Sequence, residues 1–362
     1  MAITTLWLTD FRCFSEAVFE PDPDGLTVLR GENGAGKTSV LEAVGWLATQ
    51  RSFRGAPREA LVRTGAARAV VRAEATAGTR AMLLEAEIPV TGAARAQVNR
   101  QPVRRRAELV EALQVSVFSP DDLDLVQGGP AARRDYLDEA LTGRHPRFEA
   151  LQVEVDRILR QRAALLRQAG GRHEPEVLAT LDVWDARLES SGDALAAARE
   201  ELAAELSPLV GAAYARLAGR QETVTLTYSR SWVGALGDAL AAARRDDLRR
   251  QVTTVGPHRD ELEVLVDGRP ARTHASQGEQ RSVALSLRLA THHLATAEHG
   301  AAPVLLLDDV FSELDAQRSG ALVDQLPPGQ VLLTTAVDPP AMVAPSRVVE
   351  VTGGRLLAGG RA

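Results

Sequence analysis

Three clusters of residues in this chain have the types and spacing to handle a nucleoside triphosphate. The first is Gly31-Glu32-Asn33-Gly34-Ala35-Gly36-Lys37-Thr38, which fits the phosphate-loop pattern G-x-x-x-x-G-K-[ST]. Its glycines let backbone N–H groups wrap phosphate oxygens, and a helix that starts at its end adds the positive end of its dipole. Lys37 is expected to reach the β- and γ-phosphates of ATP, and the Thr38 hydroxyl to ligate Mg²⁺. Lys37 is the only lysine in 362 residues; every other basic side chain is an arginine. The exception falls where a compact ammonium is needed and a planar guanidinium would not fit.

The second cluster is Val304-Leu305-Leu306-Leu307-Asp308-Asp309, an apolar run that ends in two carboxylates. Asp308 is expected to hold Mg²⁺ through water, and Asp309 to orient or deprotonate the water that attacks the γ-phosphate. The third is Ser276-Gln277-Gly278-Glu279-Gln280-Arg281. Ser276 and Glu279 have the spacing of a capping box, which marks a helix N-terminus. Gly278 permits close approach, so that N-terminus can bind an anion. Ser-x-Gly-x-x at a helix start, shortly before a carboxylate-ending strand, is the signature arrangement of ABC-type ATPases. There the helix faces the γ-phosphate on another subunit's phosphate loop. The arrangement implies that Ser276, Gln277 and Gly278 contact nucleotide only in an ATP-dependent homodimer. Ser312-Glu313-Leu314-Asp315 then reads as the D-loop at that interface.

The elements that must position these residues are legible in outline. Leu26–Leu29 reads as a buried strand leading into the loop, and a helix follows to about Thr49. Residues 3–8 and 16–20 read as a hairpin. Segments 69–75, 81–88 and 95–99 read as further strands of an antiparallel β-wing, with a tight turn at Asn99-Arg100-Gln101-Pro102. From Pro120 the pattern becomes helical: 130–142, 147–169 and 176–206, with a break at Gly170-Gly171 and an expected stop at Pro208. Leu181, Leu188, Leu195, Leu202 and Leu209 recur every seventh residue, but Trp184, Ser191, Ala198 and Glu205 between them are too polar for a dimeric seam. A short antiparallel helical hairpin is expected. Strands at 222–229 and 261–266, helices at 236–250 and 277–298, and two buried parallel strands at 303–309 and 330–335 complete the pattern. The expected fold class is α/β: a P-loop ATPase lobe like those of ABC and SMC heads, with a β-wing and an inserted, mainly helical second lobe. The expected divisions are 1–118, 119–250 and 251–362.

Together these blocks resemble the RecF family, bacterial recombination-repair ATPases related to SMC heads. Phe11-Arg12-Cys13-Phe14 is similar to the family's N-terminal strand motif, and the resemblance places Arg12 among the nucleotide contacts. Phe118 to Leu123, Arg133-Arg134-Asp135-Tyr136-Leu137-Asp138 and Gly256-Pro257-His258-Arg259-Asp260-Glu261-Leu262 are similar to further family blocks. The match runs collinearly from about residue 3 to 355. It implies ATP-dependent binding at gapped DNA, with RecO and RecR as partners, to promote RecA loading. Three positions depart from the wider ABC pattern. Asp309 stands where Glu is usual, Ser119 lies where a Q-loop glutamine would fall, and Thr334-Thr335 lies where a switch histidine would fall. These departures suggest slow hydrolysis.

The net charge is −6, so DNA binding requires local patches. Arg104, Arg105 and Arg106, with Arg95 and Arg100, form one acid-free stretch; Arg51, Arg54 and Arg58 form another; Arg157, Arg160, Arg162, Arg167 and Arg172 form a third. Clustered arginines suit phosphate contacts. Aromatics make up 4% of the chain and do not interleave with these clusters, which favours double-stranded or gapped DNA over base-stacked single strands. One cysteine, Cys13, excludes an intrachain disulfide and fits a reducing cytoplasm. The first residues lack a signal-peptide pattern and no apolar run is long enough to span a membrane. Two rival readings remain at this point. An ABC-transporter subunit would need a membrane partner, a Q-loop glutamine and a switch histidine. An SMC-type tether would need a far longer coiled coil than the helical insert here.

Overall fold

In the computed structural model, residues 1–362 are described except 79, 173, 220, 221, 327, 338–342 and 359–362, and the side chains of 107, 146, 313 and 358. In chain order the elements begin with β1 (Ala2–Phe11), β2 (Phe14–Phe19), β3 (Leu26–Arg30), α1 (Lys37–Thr49), β4 (Arg68–Ala77), β5 (Arg80–Pro89), β6 (Arg95–Val98), β7 (Gln101–Pro102), α2 (Ala107–Ala112) and β8 (Val115–Phe118). Then come α3 (Asp124–Gln127), α4 (Pro130–Arg144), α5 (Pro146–Ala169), α6 (Pro175–Ala218), β9 (Val224–Ser229), α7 (Leu236–Arg250), β10 (Glu261–Val266), β11 (Arg269–Pro270), α8 (Ala271–His274) and α9 (Gln277–His299). The last are β12 (Val304–Asp308), α10 (Ala316–Val323), β13 (Val331–Thr335), β14 (Arg347–Thr352) and β15 (Arg355–Ala358). Among the described residues, no helix is long and apolar enough to cross a membrane.

The chain divides into two compact units. The first comprises 1–122, 216–219 and 285–362. It holds two sheets. One, in the order β2-β1-β4-β5-β6-β7, is antiparallel throughout and is the expected β-wing. The other runs β15-β14-β3-β13-β12-β8 and is parallel except for β15. Parallel strands buried on both faces need near-continuous apolar runs, and every residue of β12 and β13 is buried. One continuous apolar cluster joins Leu6, Leu8, Phe11 and Phe14 from the wing, Val40, Leu41, Val44 and Trp46 from α1, and Leu29, Leu306 and Leu332 from the parallel sheet. Helix α1 thus lies in the core, and eleven of its thirteen residues are buried.

The second unit comprises 123–215 and 220–284. It differs from the expected 119–250 lobe because β10 pairs along its whole length with β9, which carries 261–266 into this unit. The segment 251–284, signature included, therefore belongs to the helical unit rather than to the ATPase unit. Pro208 does not end the second arm of the hairpin. Helix α6 continues through it to Ala218, with Val210, Ala213, Tyr214 and Leu217 all buried beyond it. Loss of one N–H costs a helix stability, but burial of Val210, Tyr214 and Leu217, with Ala213, offsets it.

The hairpin of α5 and α6 turns at Gly170 and Gly171, both at positive φ, where the absence of Cβ removes the steric cost. It is closed by α7 as a third helix, since Leu248 joins Leu166, Ala169 and Leu181 in one cluster. This arrangement buries Arg162, one of the arginines grouped above as surface candidates for DNA. Its side chain is fully buried and donates to Asp185 at 2.7 Å, Asp247 at 2.7 Å and Thr253 at 2.8 Å. Periodicity of charge along one helix could not show this, because both carboxylates come from other helices. Leu209, in register with the buried leucines of α6, is 36% exposed.

Candidate functional site

The phosphate loop joins β3 to α1. Gly34 (φ 82°) and Gly36 (φ 111°) take backbone conformations that only glycine adopts at low cost. A side chain at Gly36 would also meet the Cys13 thiol at 2.5 Å, and one at Gly31 would run into the carbonyl oxygen of Val351. The loop is thus walled by the turn after β1 and by β14. Lys37 is 7% exposed and its Nζ donates to the carbonyl oxygens of Gly31 (2.8 Å) and Glu32 (2.9 Å). The ammonium therefore spans the mouth of the loop. The first N–H groups of α1 have no partners within the helix, so loop, ammonium and helix start form one anion-binding concavity.

Asp308 ends β12, opposite Thr334 of β13 in the parallel register. Its Oδ1 accepts from the Thr38 hydroxyl at 2.7 Å and from the Thr334 hydroxyl at 2.7 Å. Burial pushes the Asp308 carboxyl above the ordinary value, and the nearby charge of Asp309 adds to this. The Thr334 and Thr38 hydroxyls and the charge of Arg54 act in the opposite direction. A hydroxyl and a carboxylate held together are hard oxygen donors. They suit Mg²⁺, which keeps several waters and takes its remaining ligands from phosphates. Among the described residues, no group of three or more His, Cys, Asp or Glu could hold a metal by itself.

Asp309 leaves the strand with φ 49°, in the left-handed region, and its N–H donates to the Thr334 hydroxyl at 2.9 Å. Its Oδ1 is buried and has no hydrogen-bond partner among the described residues. A buried carboxylate oxygen without a donor is costly, and one beside a phosphate loop is suited to hold a water. Thr334, noted in the sequence only as the residue in place of a histidine, is the side chain that fixes both aspartates. Asp315, in the segment expected to be a D-loop, accepts from the Arg318 N–H at 2.8 Å as the N-cap of α10.

Arg12, also at positive φ, lies at the same end of the unit. Its Nε and Nη2 donate to the Glu42 carboxylate at 2.7 and 2.6 Å, and Nη1 donates to the Ala60 carbonyl at 2.8 Å. Glu42 is fully buried in α1 and also accepts from Ser52 at 2.5 Å. Arg12 thereby ties the first strand to the phosphate-loop helix, a role that sequence reasoning did not assign. Of the expected DNA contacts, Arg51, Arg54, Arg104 and Arg105 are exposed and Arg106 is half-buried. Arg105 lies 3.6 Å from Glu108, an acid just beyond the acid-free stretch.

In the second unit, the capping box forms as expected. The Ser276 N–H donates to Glu279 at 2.7 Å and the Glu279 N–H to the Ser276 hydroxyl at 3.4 Å. Ser276 and Gln277 are exposed, and Gly278 is half-buried. Two of the distant sequence blocks meet here. Arg133 forms a two-pronged ion pair with Glu261 at 2.8 and 3.0 Å, and Arg134 donates to the Asp260 carbonyl at 2.7 Å. Arg199 joins Asp138 to the Pro257 carbonyl, each bond at 2.7 Å.

Residues 2–353 match the family described as the RecF/RecN/SMC N-terminal domain. The DNA replication and repair protein RecF of Frankia alni is 44% identical over 98% of both chains. The chain belongs to the RecF family. The RecF of Streptomyces avermitilis is 43% identical over 93% of this chain and 94% of its own. A solved structure of the recombination mediator protein RecF with ATP, described within the RecFOR pathway, superposes with a TM-score of 0.90 at 26% identity, covering 99% of this chain and 98% of that one. An Smc head bound to the C-terminal winged-helix domain of ScpA shares the fold at a TM-score of 0.60 and 14% identity, covering 99% of this chain and 98% of that one. The ABC/SMC-head-like α/β fold expected from the motifs is the fold of this RecF-family chain.

Proposed function

We propose that this RecF-family chain is a slow, DNA-dependent ATPase of DNA replication and recombinational repair. ATP and Mg²⁺ close a homodimer on double-stranded or gapped DNA, and hydrolysis reopens it. The observation that carries the reading is the Thr38–Asp308–Thr334 cluster with Asp309 beside it, whose Oδ1 has no hydrogen-bond partner among the described residues. Residues 31–38 would wrap the phosphates, with Lys37 on the β- and γ-phosphates and Arg12 as a further contact. Thr38 and Asp308 would hold Mg²⁺, which neutralises charge on the β- and γ-oxygens when bound. Asp309 would hold the attacking water. Ser276, Gln277 and Gly278 would complete the site of the opposite protomer. Action in the cytoplasm with RecO and RecR, to promote RecA loading at gaps, extends the RecFOR pathway named for the solved relative to this chain.

The test is sizing by light scattering, with and without ATP and duplex DNA. The dimer is expected only with ATP. Ser276→Arg separates the steps. It removes the cap, opposes the helix dipole and blocks the approach of a partner's nucleotide. A fluorescent nucleotide is expected to bind the mutant monomer with unchanged affinity, while the ATP-dependent dimer and hydrolysis are lost. A mutant that still dimerises would rule out the shared site.

DNA binding is tested at the exposed pair Arg104 and Arg105. Removing one arginine–phosphate interaction is expected to lower the slope of log K against log salt by about 0.9, so the double alanine variant should reduce it by about 1.8. An unchanged slope would assign these side chains to solvated surface, and Arg51 and Arg54 would be the next pair to replace.

A further inference from the structure

The signature turn at Ala275-Ser276 is bracketed by two helices, α8 before it and α9 after it. What ties them is the side chain of Gln280, which is 6% exposed. Its Nε2 donates to the carbonyl oxygens of Ala271 and Arg272, both at 3.1 Å. The chemistry fixes the orientation of this amide, since two carbonyl acceptors at one end require the NH₂ group there. Its oxygen must then face the other way, and it accepts from Nε2 of Gln127 at 2.7 Å.

Gln127 is itself held in place. It ends α3, whose last helical bond runs from the Gly128 N–H to the Asp124 carbonyl at 2.8 Å. The buried Arg133 guanidinium donates to the carbonyls of Leu125 (3.2 Å) and Gly128 (3.0 Å) while its other face is locked on Glu261. Glu261 begins β10, the strand whose continuation leads to α8 and the signature turn. These bonds close a ring: Glu261, Arg133, the end of α3, Gln127, Gln280 and α8. Every member lies in the second unit. Gln127 is exposed, so its side chain contributes little to burial and can be changed without opening a cavity.

We infer that Gln127 is a positioning residue for the signature motif: through Gln280 it sets the direction of the first turn of α9, and so the geometry with which Ser276 and Gly278 meet a partner's nucleotide. This rests on the shared-site reading above. The clamp has polarity. Gln127→Glu places an acceptor against the Gln280 oxygen. If Gln280 rotated its amide to donate to that carboxylate, its oxygen would face two carbonyls. Gln127→Leu removes the donor, and Gln127→Lys keeps one.

Two measurements test the inference. The first is amide hydrogen exchange without nucleotide. In Gln127→Glu and Gln127→Leu, the Gln280 amide, which donates to the Ser276 carbonyl at 2.9 Å, is expected to exchange faster, with no change at Lys37 to Thr49. The second is ATP-dependent dimerisation. Loss of one neutral hydrogen bond is worth about fivefold per site, and a symmetric dimer contains the site twice, so these two variants should dimerise about 25-fold more weakly. Gln127→Lys should dimerise like the unaltered chain, and all three monomers should bind fluorescent ATP with unchanged affinity. Unaltered exchange in Gln127→Glu would overturn the clamp. Faster exchange with unaltered dimerisation, or failure of Gln127→Lys alongside the other two, would overturn its positioning role. If the unaltered chain does not dimerise on ATP, the shared-site reading fails and the positioning role with it, while the exchange measurement still decides the clamp.

Discussion

Lys37→Met is expected to weaken ATP binding to the monomer by about thirtyfold or more, because losing the partner of a buried charge typically costs roughly 2–5 kcal/mol. The ammonium already bridges two loop carbonyls 2.8 and 2.9 Å away, so its arrival on the phosphates requires a small movement of a compact group. Lys37→Arg keeps the charge but brings a planar fork with five donors into a loop walled by Cys13 and Val351. It should retain some binding and slow hydrolysis strongly. A fluorescent-nucleotide titration and a phosphate-release assay on both variants measure this. Normal turnover by Lys37→Arg would show that the loop accepts a guanidinium and would remove the meaning given to the chain's single lysine.

Asp309→Asn is expected to cut hydrolysis by about 10² to 10⁴, the usual contribution of a positioned base, and to leave ATP binding intact. Asparagine tolerates the left-handed backbone that Asp309 adopts, and the Asp309 N–H to Thr334 bond does not involve the side chain, so the local fold should survive. Thr38, Asp308 and Lys37 are untouched, and ATP should therefore trap a long-lived dimer, visible by light scattering after ATP is diluted. Normal turnover would place the base elsewhere. Asp315 is a poor substitute because it caps α10.

The ATPase core was legible because motif and pattern agree there. The phosphate loop sits between a buried strand and a helix with no break, and the strand ending at Asp308 is a continuous apolar run. The β8 strand escaped notice because Val-Ser-Val-Phe is short and alternates with Ser116, yet it edges the parallel sheet beside β12. The hairpin of β14 and β15, which completes that sheet on its other edge, was not marked either. Pro208 misled because the local rule for proline does not see four buried side chains downstream. Arg162 misled because its partners lie 23 and 85 residues away. Thr334 was visible only as a departure from a family pattern; its role needed the register of β13 against β12. The capping box at Ser276 was readable from spacing alone, whereas the Gln127–Gln280 bond spans 153 residues and carries no local signal.

The neighbours of β3 bear on how the chain is made. The strand that enters the phosphate loop is flanked on both sides by β13 and β14, which lie more than 300 residues downstream of it. During synthesis from the N-terminus, the loop emerges early but its strand has no partners until nearly all of the chain has been made. Residues 123–215 and 220–284, by contrast, form a compact unit from almost contiguous sequence and can fold while translation continues. The pairings that create the nucleotide site are also the slow, non-local kind. A nascent chain should therefore be unable to hold ATP until its last strands are released, so a truncated product from a stalled ribosome would carry the phosphate loop yet not compete for nucleotide.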